Sequence, residues 1–292
     1  MKETSSTWSR ASRGGVGLIG VAVLLAGSAA TPAHDLFFRS GKYVLAPHAS
    51  VVVDVLSGTF SRSENAISRD RLAELALLTP IGRRTLDLEQ WTEDDPKSTV
   101  RVTVEGGGTY VLGAAVRPRL LQLSGAEFNA YLKEEGLDDV VAARAEEKRL
   151  DEPSRERYSK YLKAIFQVGD APTDAHATPL GHAAEIIAEQ NPYRLKPGDR
   201  LTVRCLVDGR PWARRVLLAG GRRGTSDRRL PQQRLLTDEA GRATVELTAA
   251  GVWYVKLVAI RAIEDPEANY ESKWATLSFA LPAPAPPALR AR

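Results

Sequence analysis

The sequence of 292 residues has one cysteine and four histidines, and this scarcity excludes several classes of protein. The single cysteine, Cys205, excludes a disulfide framework within the chain and any zinc or iron–sulfur site built from several cysteines. Four histidines are too few for a histidine-rich metal cage. No internal run reaches the ~18 apolar residues of a membrane-spanning helix, which excludes a multi-pass membrane protein.

What the chain does contain is typical of a globular protein. Hydrophobic residues make up 43% and charged residues 26% of the sequence. A chain of this length and composition can bury a sizeable core without covalent cross-links. Its stability must therefore come from packing.

The first 33 residues have the features of an export signal. Basic residues near the start precede an apolar stretch at 16–26, and small residues follow. This order predicts a signal peptide at 1–33 and a periplasmic or secreted protein of the bacterial cell envelope. Cleavage after Ala33 makes His34 the first residue of the mature chain, and cleavage after Ala30 is the alternative. An uncleaved membrane anchor is the other interpretation of this segment.

The charge of the chain argues against nucleic acid as a partner. The formal net charge is +4, and the predicted signal peptide contributes +2 of it through three basic residues and one acidic residue. A mature chain at +2 has no electrostatic basis for binding nucleic acid, so we expect none. The sequence leaves the oligomeric state open.

Short strands dominate the first half of the mature chain. Residues 51–56 and 100–105 alternate β-branched residues with other types, as half-buried strands do. Turn residues separate these segments, which predicts an N-terminal β-sandwich domain at 34–123. A capping-box spacing at 124–127 then begins a helical insertion, which we place at 124–169.

The insertion is expected to contain two or three helices and a final strand. Residues 151–153 (DEP) are typical of a helix start with proline in its first turn. The apolar positions Tyr158, Tyr161 and Leu162 have helical spacing and predict a third helix. Residues 164–168 (AIFQV) predict a strand that returns to a sheet.

The second half again favours strands. About seven short strands separated by turns predict a C-terminal immunoglobulin-like domain at 170–281. Residues 282–292 are rich in proline and alanine and predict a disordered tail. The fold class is therefore mainly β, with two immunoglobulin-like or transthyretin-like β-sandwich domains and a helical insertion.

His34 and Asp35 form the sharpest chemical feature of the sequence. An N-terminal His34 can chelate one metal ion through its α-amine and its imidazole together. The α-amine has a pKa near ~8 and loses its proton to a metal easily. An amine with an imidazole favours Cu(II) or Ni(II). The alternative is that His34 simply follows the cleavage site.

The remaining candidates have simpler structural interpretations. His176 and His182 lie six residues apart and predict a solvated loop rather than a helical metal pair. His48 follows a proline and predicts an exposed turn. Cys205 predicts a small buried strand residue. The arginine-rich segment 221–234 predicts an exposed hairpin loop, with an anion site or acidic partner surface as the alternative.

A set of short stretches, taken in order, resembles one bacterial family. It begins with AHDLFF at 33–38 and continues with GTF at 58–60, GTYV at 108–111, FNAYL at 128–132, ERYSK at 156–160, AIFQVG at 164–169, TDEAG at 237–241, GVW at 251–253 and YESKWATL at 270–277. The resemblance covers residues 34–281. The family consists of exported domains of unknown function and is described as the periplasmic component of nickel/cobalt uptake (NikM-like).

This resemblance implies a function. It implies a non-enzymatic periplasmic protein that binds nickel, cobalt or copper or assists its uptake, with a membrane transporter component as partner. His34 would be the primary metal ligand, and Asp35 a nearby carboxylate ligand or a partner of the ligand.

The chain also departs from the family pattern. Relatives often carry a histidine-rich loop where this chain has 221–234, and a His-Met pair where it has Ala259 and Ile260. These losses favour the alternative of a metal-free cell-envelope interaction module. A copper oxidase, the third hypothesis, would need a second histidine beside His34.

Overall fold

Three β-sheets make up most of the structure, a computed structural model that describes residues 34–224 and 228–283. The mainly β fold class and its sandwich character are confirmed. The predicted signal peptide at 1–33 and residues 284–292 of the predicted tail lie outside the described residues. Within the described part of the chain, none of the helices has the length and apolar character needed to cross a membrane.

Eighteen strands and two α-helices occur among the described residues. The helices are α1 (Gly125–Glu134) and α2 (Asp138–Glu146). The strands are β1 (Asp35–Ser40), β2 (Val44–Leu45), β3 (Ser50–Thr59), β4 (Arg62–Ser63), β5 (Leu72–Thr79), β6 (Gly82–Thr85), β7 (Trp91–Asp94), β8 (Lys97–Thr103), β9 (Gly108–Leu123), β10 (Ser154–Val168), β11 (Ala184–Ala188), β12 (Arg200–Val207), β13 (Arg210–Pro211), β14 (Val216–Arg223), β15 (Arg228–Leu236), β16 (Arg242–Glu246), β17 (Gly251–Ala262) and β18 (Tyr270–Leu281).

A nine-stranded sheet lies at the centre of the fold. Its strand order is β15-β14-β17-β18-β10-β9-β5-β6, and β2 adds to β10. β10 pairs in parallel with β18, whereas its long pairing with β9 is antiparallel. Strands from the predicted N-terminal domain and from the predicted C-terminal domain therefore hydrogen-bond within one sheet.

The two smaller sheets cover opposite faces of this central sheet. Five strands (β1, β3, β4, β7, β8) form one of them, and four strands (β11, β12, β13, β16) form the other. On β5, Leu75 and Leu77 pack into the core under the five-stranded sheet, whereas Ala76 and Leu78 pack toward the four-stranded sheet. Successive side chains of a strand point to opposite faces. A sheet covered on both faces needs nearly continuous apolar runs, which its strands have.

The helical insertion is partly confirmed and partly corrected. Ser124 caps α1 in the predicted capping box, accepting from the Glu127 amide while Glu127 accepts from the Ser124 amide at 2.9 Å. The third helix expected from residue 151 is wrong, because Tyr158, Tyr161 and Leu162 lie on β10. Their helical spacing is accidental, since pairing with both β9 and β18 fixes this segment as a strand.

A buried ion pair links the central sheet to the four-stranded sheet. Lys163 on β10 donates to Glu185 on β11 at 2.8 Å, and both side chains are almost fully buried. Glu185 also accepts from the amides of Leu180 and Gly181 at 2.6 and 3.1 Å. Burial lowers the pKa of Lys163, and the carboxylate of Glu185 opposes that shift. Each charge is thus stable only while its partner is present.

Removing one member of this pair should be costly. We expect Lys163→Met to lower the free energy of unfolding by about 3–5 kcal/mol, because it leaves the Glu185 carboxylate buried without a cation. The double variant Lys163→Met/Glu185→Gln should regain much of that loss. Urea unfolding followed by circular dichroism measures both.

A more exposed pair, between β18 of the central sheet and the turn after β12, provides the control. Lys273 contacts the exposed Asp208 at 2.7 Å, and Lys273→Met should cost less than about 1 kcal/mol. Equal losses for Lys163→Met and Lys273→Met would contradict the special role of the buried pair.

Candidate functional site

The first strand of the described chain carries the candidate site across the central sheet. β1 belongs to the five-stranded sheet, yet its residues contact both β10 and β18. The hydroxyls of Thr276 and Ser278 on β18 donate to the carbonyls of Leu36 and Phe38, each at 2.7 Å. These bonds fix β1 over the sheet and place His34, which precedes it, above β10.

His34 lies in a half-buried position between a carboxylate and a lysine. Its imidazole Nε2 lies 3.0 Å from Glu64 Oε2, and its side chain is 17% exposed. Its carbonyl oxygen accepts a hydrogen bond from Lys160 Nζ. Nε2 is buried and makes no hydrogen bond, so Glu64 acts on it as a nearby negative charge, which favours the tautomer with the proton on Nε2 and the lone pair on Nδ1.

Asp35 shares a buried lysine with the end of α1. Lys256 Nζ on β17 lies 2.6 Å from Asp35 Oδ2 and 2.8 Å from Glu135, the C-cap residue of α1. Burial alone would lower the pKa of Lys256, but the two carboxylates outweigh it and raise that pKa. Asp35 Oδ1 is buried and has no hydrogen-bond partner.

The carboxylate of Glu135 has a strongly raised pKa. Burial, and then repulsion from Asp35, raises the pKa of Glu135 to about 7, although Lys256 opposes the shift. The α1 C-terminus adds its own partial negative charge at this position. Near neutral pH, Glu135 therefore exchanges a proton while Lys256 stays charged.

Lys160 occupies an aromatic niche on β10. Its Nζ lies 4.7 Å from the ring centroid of Trp274 and 5.0 Å from that of Tyr158. Burial lowers the pKa of Lys160 to about 8, while Asp35 and then Glu156 oppose the shift. Cation–π contacts and the His34 carbonyl thus replace the water that this ammonium has lost.

Glu156 completes the polar layer beneath β1 and α1. Its Oε1 accepts from Tyr131 Oη at 3.2 Å and from the hydroxyl of Ser272, which itself accepts from the Trp274 indole at 2.9 Å. Its Oε2 is buried without a partner. Burial raises the pKa of Glu156, and the hydrogen bonds from Ser272 and Tyr131 oppose that shift.

Two cavities meet at His34. The larger has a volume of about 490 Å³ and is lined on its inner side by Arg71 and Lys160. The smaller has a volume of about 170 Å³ and is lined by Asp35, Glu135 and Lys256. His34 therefore separates a cavity with a basic inner wall from one that is rich in carboxylates.

The structure places the predicted site residues together but changes their surroundings. His34 and Asp35 are neighbours at the start of β1, as the sequence requires, and Asp35 is tied to Lys256. Among residues 34–224 and 228–283, no group of three or more His, Cys, Asp or Glu side chains has the arrangement of a metal site.

The other histidines lie elsewhere in the fold. His48 is exposed in a turn and Cys205 is fully buried on β12, so both predictions are confirmed. The solvated loop expected for His176 and His182 is wrong, because both are buried. Ala175 and Leu180 pack this segment into the core, and the His182 ring lies 5.4 Å from that of Tyr161.

The arginine-rich segment forms two paired strands as far as it is described. β14 and β15 pair antiparallel, with Arg222 opposite Arg229 and Arg223 opposite Arg228. Residues 225–227 at the predicted loop lie outside the described part of the chain, so the role of this hairpin stays a prediction.

Sequence reasoning missed five charged residues of the site. Glu64, Glu135, Glu156, Lys160 and Lys256 were not among the candidates, yet they surround His34 and Asp35. Lys256 interrupts the apolar run of β17, and a charged residue inside such a run is the signal that could have found it. Lys160 and Glu156 lie in the mixed polar half of β10, and Glu64 and Glu135 lie outside apolar strands, so no such signal marks them.

The fold and the site define a mainly β, sandwich-like architecture with a polar layer beneath its first strand. The chain belongs to the family described as Domain of unknown function (DUF4198), whose model matches residues 31–261. A comparison with curated proteins found no match.

Solved structures give only remote likenesses. Escherichia coli alpha-2-macroglobulin activated by porcine elastase is 13% identical with a TM-score of 0.25, and the alignment covers 86% of this chain and 20% of that chain. Latent PorU from Porphyromonas gingivalis is 12% identical with a TM-score of 0.20, over 90% and 21% of the two chains. The D0-D1 domain of Intimin is 12% identical with a TM-score of 0.19, over 83% and 96%. This chain spans about a fifth of the length of the first two proteins. Likenesses this remote give no information about its activity.

The raised pKa of Glu135 predicts a pH dependence of stability. The folded chain holds this proton up to about pH 7, whereas an unfolded glutamate loses it near ~4.3. Between these values the folded state binds more protons, so stability falls as the pH rises. We expect metal-free wild type to lose about 1–3 kcal/mol more than Glu135→Gln between pH 5 and pH 8.

Urea unfolding at the two pH values measures this difference. Glu134→Gln is the matched control, because Glu134 is the adjacent carboxylate and is exposed. It should keep the wild-type pH dependence. The assignment to Glu135 would be contradicted if Glu135→Gln and Glu134→Gln behaved alike.

Proposed function

We propose that this protein is a periplasmic transition-metal-binding or metal-uptake accessory protein, non-enzymatic, that holds its cargo at His34. Nickel, cobalt and copper are the cargo ions that this donor set suits. The observation that carries the proposal is the position of the His34 imidazole, half-buried between two cavities with Glu64 Oε2 at 3.0 Å from Nε2.

The pairing with Glu64 prepares His34 for chelation. With the proton held on Nε2, the Nδ1 lone pair is free to bind metal. Nδ1 and the α-amine of the same residue close a six-membered ring around a metal ion. A carboxylate beside the second imidazole nitrogen would also help to fix the ring orientation. Glu64 is thus a positioning residue for the proposed ligand His34.

Asp35 fits the role of a third donor through one oxygen only. Its Oδ2 is held by Lys256 at 2.6 Å, whereas Oδ1 is buried without a hydrogen-bond partner. Such an atom costs stability unless something satisfies it. A cation bound by His34 would provide that partner. Asp35 and Glu135 share the single ammonium of Lys256, which leaves negative charge to offset a metal ion.

The cellular setting of the proposal follows from the predicted signal peptide. Export with cleavage after Ala33 is what creates the free α-amine of His34. The family resemblance suggests that a membrane transporter component receives the metal. No nucleic acid is involved in this account.

Metal titration of the mature protein tests the proposal. After intact mass confirms His34 as the first residue, Ni(II), Co(II) and Cu(II) are titrated calorimetrically. We expect one-to-one binding that His34→Ala abolishes. Glu64→Gln should bind about 10–100-fold more weakly, because the imidazole loses its positioning carboxylate.

A variant that retains Ala33 is the sharpest control. Because Ala33 would bring a new α-amine next to His34, the variant must also retain residues 30–32, which keeps every side chain of the mature chain but places the free α-amine four residues away from His34, so chelation by amine and imidazole together should be lost. Binding that survives in this variant or in His34→Ala would place the metal elsewhere. No binding to protein that begins at His34 would favour the metal-free interaction module.

A further inference from the structure

The larger cavity beside His34 has features that the proposed metal donors do not use. Its volume of about 490 Å³ falls within the range of small-molecule sites. Arg71 and Lys160, which line its inner side, are only 8% and 5% exposed. Two buried cations on one cavity wall are unusual, because burial of an unpaired charge is costly.

Arg71 is only partly satisfied within the protein. Its Nη2 donates to the carbonyl of Arg117 at 3.0 Å, and its guanidinium carbon lies 5.9 Å from the ring centroid of Tyr158. Its Nε is buried and has no hydrogen-bond partner. The guanidinium of this cavity-lining residue thus has donor capacity that the protein does not satisfy.

The cavity has a basic floor and a rim of mixed charge. Arg119 is exposed and adds a third cation to the wall. The two carboxylates of the lining are also exposed and already have partners. Glu64 pairs with His34, and Glu93 accepts from the Arg69 amide at 2.9 Å.

We propose that this cavity binds a small carboxylate-bearing molecule, whose carboxylate is held by Arg71 and Lys160 and approached by Arg119 from the rim. A guanidinium matches the planar geometry of a carboxylate. Lys160 donates one hydrogen bond to the His34 carbonyl and retains two further N–H groups.

The apolar part of the wall favours a carboxylic acid over an inorganic anion. Leu36, Ile67 and Leu121 line the same cavity and offer contact to a short carbon skeleton. A phosphate ion would leave this surface in contact with water. The ligand class is therefore a small organic acid of a few carbons, for which succinate and citrate serve as probes.

Calorimetric titration with succinate and with citrate tests the proposal, with phosphate as comparator. The protein is freed of metal on a chelating resin and dialysed, because soluble chelators are themselves carboxylates. We expect saturable one-to-one binding of succinate or citrate to wild type. Arg119→Gln should weaken it about ten-fold, as loss of one charge-assisted hydrogen bond does.

The variants separate a local site from a general charge effect. Arg101→Gln removes the same charge from an exposed position on β8 and should bind like wild type. Arg71→Gln should abolish binding, and its fold is checked by circular dichroism. If Arg71→Gln does not fold, the comparison of Arg119→Gln with wild type and with Arg101→Gln still tests the proposal, because Arg119 is exposed.

The outcomes also distinguish this site from the proposed metal site. His34→Ala should lose metal but keep carboxylate binding, because Arg71, Lys160 and Arg119 remain. Absence of saturable binding of succinate and citrate would overturn the proposal. So would binding of phosphate alone, or equal weakening by Arg119→Gln and Arg101→Gln.

Discussion

The ammonium of Lys256 joins three elements on which the arrangement of the site depends. It extends from β17 of the central sheet to Asp35 at the start of β1 and to Glu135 at the end of α1. These contacts are buried, so losing the Lys256 ammonium would leave both carboxylates unpaired. Lys256 thus anchors the start of β1. The hydrogen bonds from the Thr276 and Ser278 hydroxyls on β18 align the rest of the strand.

The anchoring of β1 by Lys256 determines the position of His34. Because β1 crosses the sheet, the residue before it lies above Lys160 and beside Glu64 rather than in solvent. The polar layer beneath it replaces the apolar core that fills the same sheet face elsewhere. Such a layer costs stability, and stability here comes from the two cores on either side of the central sheet. Because the two cores supply the stability, the part of the central sheet beneath β1 can hold charged groups.

Much of the fold was predictable from sequence because its signals are local. β3 and β8 follow from their β-branched residues, and α1 follows from its capping box. β10 was not fully predictable. Its first half carries Glu156 and Lys160 on a buried face, so the usual alternation of apolar and polar residues is absent.

The site was predictable only where a single residue has special chemistry. His34 and Asp35 could be singled out because cleavage would give His34 a second donor. Glu135 and Lys256 are 121 residues apart and meet only through the fold. No spacing rule brings such residues together, since their proximity depends on where α1 packs against the sheet.

The two cavities meet at His34, and this shared wall would connect what each of them binds. A carboxylate held by Arg71 and Lys160 places negative charge close to the His34 carbonyl, which favours a metal cation at the imidazole. By linkage, a bound metal would strengthen carboxylate binding by the same factor. A metal that arrives with a small carboxylate as counter-ion would thus be held better than either component alone. The opposite charges of the two cavities would then favour binding of the cation and of the anion together, and His34, which lines both cavities, would connect the two sites.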